Sequence, residues 1–292
     1  MQASKRKEYS ITVNIFIFLT LICIVGVTRI IIISITGENR FESIDLIDEV
    51  KYNASADMTE TIRKVKNTIE NYYDINIYYG SVLEEIVPQV NASVLYDERS
   101  TLNMLQRINT ELAKYPYGII DEIQRAGYKI SIYLVKDFNN NNIALANRTS
   151  AGNFNIFLSN DAEFEKSMHH EFYHILEYYI KLEFDIATVY EYWNMYNPTE
   201  FYYTNDVGKI TGKYVYGMDS ENDLSFVTLY SKYSEAEDRA EVFSEMMTSD
   251  EKYHTNKKAT KIINKMKSIT NALQTIFMTV GADEYWQRYE VD

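Results

Sequence analysis

The segment MHHEFYHILEYY, residues 168 to 179, holds three of the chain's four histidines within six positions. It also carries an apolar stripe: Phe164, Met168, Phe172, Ile175 and Tyr179 recur at helical spacing, which predicts an amphipathic helix with one face in a core. Asn160 and Glu163, just upstream, have the spacing of a capping box that would start it. On such a helix His170 and His174 share a face, so both can bind one zinc ion. Glu171, the second residue of the HExxH pattern, projects beside them, placed to take a proton from an attacking water rather than to ligate. His169 points about 100° away from His170 and cannot join them. A chain with this helix must fold so that a third donor reaches the same face.

That donor is constrained by what the chain lacks. A catalytic zinc takes three protein ligands and keeps a fourth position open. The remaining histidine, His254, sits in a polar, lysine-rich stretch that predicts exposure, and the single cysteine, Cys23, lies in an apolar run near the N-terminus. A carboxylate must then serve. In YSKYSEAEDRAEVF a helix is expected from Ser234, with Ala236, Ala240, Phe243 and Met247 toward the core and Glu237 and Glu241 four apart on the adjacent face. One of these glutamates would bind the metal and the other would hold a ligating imidazole. Ser234 and Glu237 also have capping-box spacing, which offers Glu237 a purely structural use.

The rest of the chain reads as a mixed fold. Helices are expected over ADMTETIRKVKNTIENYY, with Ile62, Val65 and Ile69 on one face, over TLNMLQRINTELAKYP up to Pro116, and over YGIIDEIQRAGY up to Gly127. YKISIYLVKD and NFNIFLSN alternate like half-buried strands on either side of the NNNN loop at 139 to 142. Residues 185 to 230 are irregular and aromatic, and KKATKIINKMKSITNALQTIF is a last long helix. Helices, a small sheet and a helical half make an α+β domain.

The N-terminus is different in kind. Lys5, Arg6 and Lys7 precede an apolar run from Ile11 to Ile35, long enough to span about 30 Å of hydrocarbon. No small-x-small cleavage site follows, so the segment reads as an uncleaved signal anchor, a cleaved signal peptide being the competing reading. The basic cluster retains residues 1–10 in the cytosol and sends the remainder outside. The organisation expected is a cytoplasmic tail (1–10), a transmembrane anchor (11–35), a helical stalk or N-terminal extension (36–98) and a catalytic domain (99–292). Beyond residue 37 there are 25 basic against 41 acidic residues, a net charge of −16. Such a surface repels phosphate backbones, which disfavours nucleic acid and favours a basic or neutral polypeptide partner.

The HEFYH helix, followed by Tyr230 and then by Glu237 and Glu241 in EAEDRAEVF, resembles the catalytic domains of anthrax toxin lethal factor and the secreted Pro-Pro endopeptidases. The likeness extends over roughly residues 100 to 280. Trp193, Asn197-Pro198, Tyr230 and EDRAE are further similar to uncharacterised zinc metallopeptidases. The resemblance implies a gluzincin-type, zincin-like domain behind the membrane helix, with His170, His174 and Glu237 binding one zinc ion. It implies Glu171 as general base, Tyr230 as oxyanion donor and Glu241 as the carboxylate behind an imidazole. Tyr173 departs from it, standing where the relatives have a small residue, often glycine. The segment between His174 and Glu237 is also longer, which leaves substrate preference open.

The expected activity is endoproteolysis at the outer cell surface, with the strand at NFNIFLS pairing with an extended substrate. Two rivals of another class are a zinc-stabilised surface binding domain without catalysis and a helical adhesion module that contacts partners through its tyrosine-rich middle.

Overall fold

The alternating segments around residue 130 and residue 155 become neighbouring parallel strands, and the sheet grows outward from them. A computed structural model describes residues 57–140, 143–150, 152–249, 253, 255–281 and 284–287. Five strands form one sheet: β1 (Asn76–Tyr78), β2 (Ala92–Val94), β3 (Ile130–Phe138), β4 (Ala144–Arg148) and β5 (Phe154–Ser159). The order is β1-β3-β5-β4, with β2 also on β3. β1 and β5 run parallel to β3, whereas β2 and β4 are antiparallel to their neighbours.

All residues of β5 are buried, and β3 is largely so on both faces, where half-burial was expected. The reason is that each face of the sheet has its own cover. Phe154, Ile156 and Leu158 face the main core with the helices, while Phe157 joins Leu83, Val87, Ala92, Val135 and Phe138 on the other side. β5 is therefore interior, which overturns its expected use as a docking edge: beside it β4 ends the sheet, and β1 lies at the other end of the strand order.

Helices α1 (Met58–Tyr73), α2 (Glu98–Leu112) and α3 (Tyr117–Arg125) appear where the apolar spacing placed them, each within a few residues. Ile62, Val65 and Ile69 are buried as expected, and Gly127, at φ +94°, ends α3 in the left-handed conformation open to glycine. Of the two forms expected for residues 36–98, stalk or N-terminal extension, the described part packs as an extension of the domain. From Met58 onward it supplies α1, β1 and β2 to the same core and sheet. The expected anchor at 11–35 lies outside the described residues; among those described, no helix is long and apolar enough to cross a membrane.

The long helix α4 (Phe164–Glu183) follows β5 and lies under the sheet with Phe164, Met168, Phe172, Ile175 and Tyr179 buried. Its start differs from the expected capping box. Asn160 accepts from Arg107 instead, and Asp161 accepts the Glu163 N–H at 2.7 Å. After the short α5 (Ile186–Val189) the chain winds through irregular turns to α6 (Glu235–Thr248) and α7 (Thr260–Ile276).

What holds the irregular segment is a buried charge. Asp238 Oδ2, on α6, accepts from Trp193 Nε1 at 3.1 Å, Tyr203 Oη at 2.7 Å and Lys265 Nζ at 2.6 Å, the last from α7. Lys265 also donates to the Ser225 carbonyl at 2.8 Å and lies over the Phe226 ring. Asp238 and Lys265 are both fully buried, so neither charge has water as an alternative partner. Removing one partner should leave the other stranded at a cost of about 3 to 5 kcal/mol. Lys265→Met should therefore lower the stability measured by urea unfolding by that amount, and the Asp238→Asn, Lys265→Met double variant should lose less than the single one.

Candidate metal centre

The helical spacing that predicted a shared face for His170 and His174 is realised on α4, one turn apart and turned toward α6. Their Nε2 atoms are 3.2 Å apart. Glu237 comes from the first turn of α6, where its backbone N–H donates to the Ser234 side chain at 3.2 Å while its carboxylate is free to point elsewhere. It points at the imidazoles: Oε2 lies 3.0 Å from His170 Nε2 and 3.4 Å from His174 Nε2. Ser234 thus caps the helix through the Glu237 backbone, and the Glu237 carboxylate faces the two imidazoles.

These three side chains fit a zinc ion. Bonds of about 2.0 to 2.1 Å in a tetrahedron put donor atoms about 3.3 Å apart, and the three separations here bracket that edge. Two imidazole nitrogens and one carboxylate oxygen also form a donor set that catalytic zinc uses. The three ligand atoms lie within 4.8 Å of one another, a grouping found here among the described residues. Charge favours a cation as well. Burial opposes ionisation of Glu237, but the two imidazoles outweigh it and hold its carboxyl down to about 2. Burial likewise opposes a proton on His170, and Glu237 and Glu241 overcome it.

Glu241 stands behind His170 rather than beside the three ligand atoms. Its Oε1 is 2.9 Å from His170 Nδ1, and its Oε2 accepts from Thr228 Oγ1 at 2.8 Å. Lys166, one turn before His170, reaches Glu245 Oε1 at 3.0 Å and Glu241 Oε2 at 3.8 Å. The Nδ1–H is thereby committed to a carboxylate, which leaves Nε2 to ligate. Thr228 does a second job: its Oγ1 accepts the Ser231 N–H at 3.2 Å, closing the turn that carries Tyr230.

Tyr230 lies at the mouth of the site, its ring centroid 6.1 Å from that of His170 and stacked on Tyr233. Burial and the carboxylates of Glu237 and Glu171 push its hydroxyl well above the ordinary range, so it stays protonated and can donate. Glu171 is 8 % exposed, and its carboxylate lies near the backbone of Ala146 on β4. Burial raises its carboxyl, an effect the nearby imidazoles only partly offset.

His169 is turned away, as its angle requires. It is fully buried, with Nδ1 2.7 Å from Tyr115 Oη and Nε2 2.5 Å from Glu111 Oε2. His254 lies outside the described residues. Tyr173, the departure from the small residue, is accommodated by a partner from the irregular segment: its hydroxyl bonds that of Tyr190, and its ring packs on Phe243.

Sequence reasoning missed β4 and Ala146. The five residues ALANR are short, but the loop at 149–153, with Gly152 ahead of the next strand, carried a hairpin signal. It also missed the Arg239–Glu177 pair, which joins α6 to α4 at 2.5 Å and is nearly dry.

The model of the family described as "Putative zinc-binding metallo-peptidase" matches residues 109–281. The chain belongs to this family. Zinc is thus the metal, and polypeptide the substrate class, that membership implies. A crystal structure from Bacteroides caccae ATCC 43185, described as a putative zinc-binding metallo-peptidase, is similar over 82 % of this chain and 97 % of that one. The TM-score is 0.51 at 18 % identity, a likeness of fold. No curated protein matches the chain.

Carboxylates that orient a ligating histidine typically contribute 10- to 100-fold in metal affinity. Glu241→Gln should weaken zinc binding by about that factor in a chelator competition, with the fold retained by circular dichroism.

Proposed function

We propose that the chain is a zinc-dependent endopeptidase of the gluzincin type, with His170, His174 and Glu237 as ligands to one catalytic ion. The observation that carries this reading is Glu171. A zinc site built only for stability has no use for a buried carboxylate beside its ligands, and here that carboxylate stands between the imidazoles and a strand edge. The likeness to the lethal factor and Pro-Pro endopeptidase group, on Tyr230, Glu237 and Glu241, supports the subtype.

Zinc held there would polarise the scissile carbonyl and make water acidic enough to attack near neutral pH. Glu171 accepts the proton of the attacking water and passes it to the leaving nitrogen. Tyr230, kept protonated, donates to the developing oxyanion. Substrate would lie along β4. Its ladder to β5 uses Ile143 and its alternate neighbours, as the bonds from Ser159 N to Ile143 O and from Thr149 N to Asn153 O indicate. Antiparallel pairing alternates, so Ala144, Ala146 and Arg148 present N–H and C=O to the free side. An extended peptide can add there as a further strand.

The same reading keeps the N-terminal anchor at 11–35 and puts the catalytic domain on the outer cell surface. It is supported by Lys5, Arg6 and Lys7 ahead of the apolar run.

Glu171→Gln should retain one equivalent of zinc and lose about 10³-fold in kcat/KM on a peptide library. Tyr230→Phe should lose about 10²-fold, mostly in kcat, because its hydrogen bond strengthens in the transition state. Zinc in wild type and in Glu171→Gln without cleavage by either would favour the binding-domain reading instead.

A further inference from the structure

On the free edge of the sheet, β4 carries two alanines and then an arginine toward α4. Ala144, Ala146 and Arg148 stand opposite Leu158, Ile156 and Phe154, and directly opposed residues project to one face. Ile156, Leu158 and Phe154 belong to the core under the sheet, so Arg148 leaves the strand on the side of the active-site helix. Ala146 lies near Glu171, and two residues further along the strand carries a cation.

What lies under Arg148 is a platform of rings. Phe154 stacks on Tyr178 of α4 with centroids 6.2 Å apart, and on Tyr128 at 5.2 Å. Tyr178 continues the row of His170 and His174 by one more helical turn. Its hydroxyl is close enough to Glu171 and Glu237 to feel both carboxylates. It therefore stands between the catalytic groups and Arg148. Lys181 adds a second cation, its ammonium 6.0 Å from the Tyr178 ring centroid and bound to Glu177 at 2.9 Å. Tyr128, which feels the charge of Arg148, donates its hydroxyl to Glu183 at 2.6 Å. Arg148 itself is exposed and makes no ion pair among the described residues. In a chain so acidic overall, an unneutralised guanidinium on the substrate-facing edge is a local reversal of sign.

Strand geometry converts this into a position. Residues two apart on a strand are about 6.6 to 6.8 Å apart, the same step as two residues of a peptide paired with it. A substrate residue opposite Ala146 lies at the catalytic carboxylate, so the residue two further along meets Arg148. We propose that Arg148, flanked by Tyr178, is a specificity-determining residue that selects an acidic side chain two residues along the substrate from the residue opposite Ala146. The favoured substrate is a neutral or basic segment with one acidic residue near its scissile bond. This inference rests on the endopeptidase reading above.

The test uses the full chain loaded with zinc and a peptide library with Glu, Gln or Lys placed in turn at each of three positions on either side of a fixed central sequence. Wild type should cleave the Glu peptide about tenfold faster in kcat/KM than the Lys peptide at one position, as expected of a charge-assisted hydrogen bond. Arg148→Glu should invert that ratio and Arg148→Lys should restore most of it. Because the readout is a ratio between peptides, a partial loss of folded enzyme cancels. Cleavage with no acidic preference, or a preference that Arg148→Glu leaves intact, would overturn this inference and leave the endopeptidase reading standing. No cleavage of any peptide by wild type would overturn both.

Discussion

The site depends on how α4 and α6 are held against each other, and charges buried at their crossing fix that register. Arg239 binds Glu177 across the interface with both side chains almost dry, and its guanidinium lies over the rings of Tyr190 and Trp193. Burial opposes the charge on Glu177, but Arg239 and Lys181 outweigh it and hold the carboxyl below its ordinary range. Such a pair contributes little net stability yet is costly to break, which makes a one-turn slip of one helix past the other unfavourable. With Arg239 anchored to Glu177, Glu237 arrives at His170 and His174, and Glu241 arrives behind His170.

Each charged member of EDRAE therefore has a separate destination. Glu237 faces the two imidazoles, Asp238 turns inward to Lys265, Trp193 and Tyr203, Arg239 clamps α4, and Glu241 orients His170. The division follows from helical geometry: successive residues are 100° apart, so a run of charges on a buried helix must serve several neighbours at once. It also explains why the irregular segment between α4 and α6 is well tied despite having little regular structure. Asp238 and Arg239 receive its aromatic residues, and Tyr173 receives Tyr190.

His170, Glu171 and His174 were legible in the sequence because their relation is local: four residues on a helix determine a shared face. Glu237 and Glu241 were legible only as a pair. Which of them meets the metal-side nitrogens depends on the crossing of two helices far apart in the chain, and the choice rested on resemblance to known domains. The mixed helix and sheet composition was readable, but burial on both faces of β5 was not, because a short apolar run has the same pattern in an edge strand as in a central one. For the same reason β5 read as open to strand addition when it is interior to the sheet. The segment from Met58 read as a stalk or N-terminal extension because its amphipathic helix gives no sign of which core it joins; β1 and β2, three residues each, carry too little pattern to reveal that they complete the sheet.

On the proposed reading, α4 and α6 bring His170, His174 and Glu237 to one zinc ion. Anomalous diffraction at the zinc edge from crystals grown with zinc tests it most directly. One strong peak is expected at about 2.0 to 2.2 Å from Nε2 of both histidines and from a Glu237 carboxylate oxygen, with Glu241 on Nδ1 of His170 and outside the coordination sphere. A peak bound by Glu241 in place of Glu237, or no peak between the two helices, would contradict it.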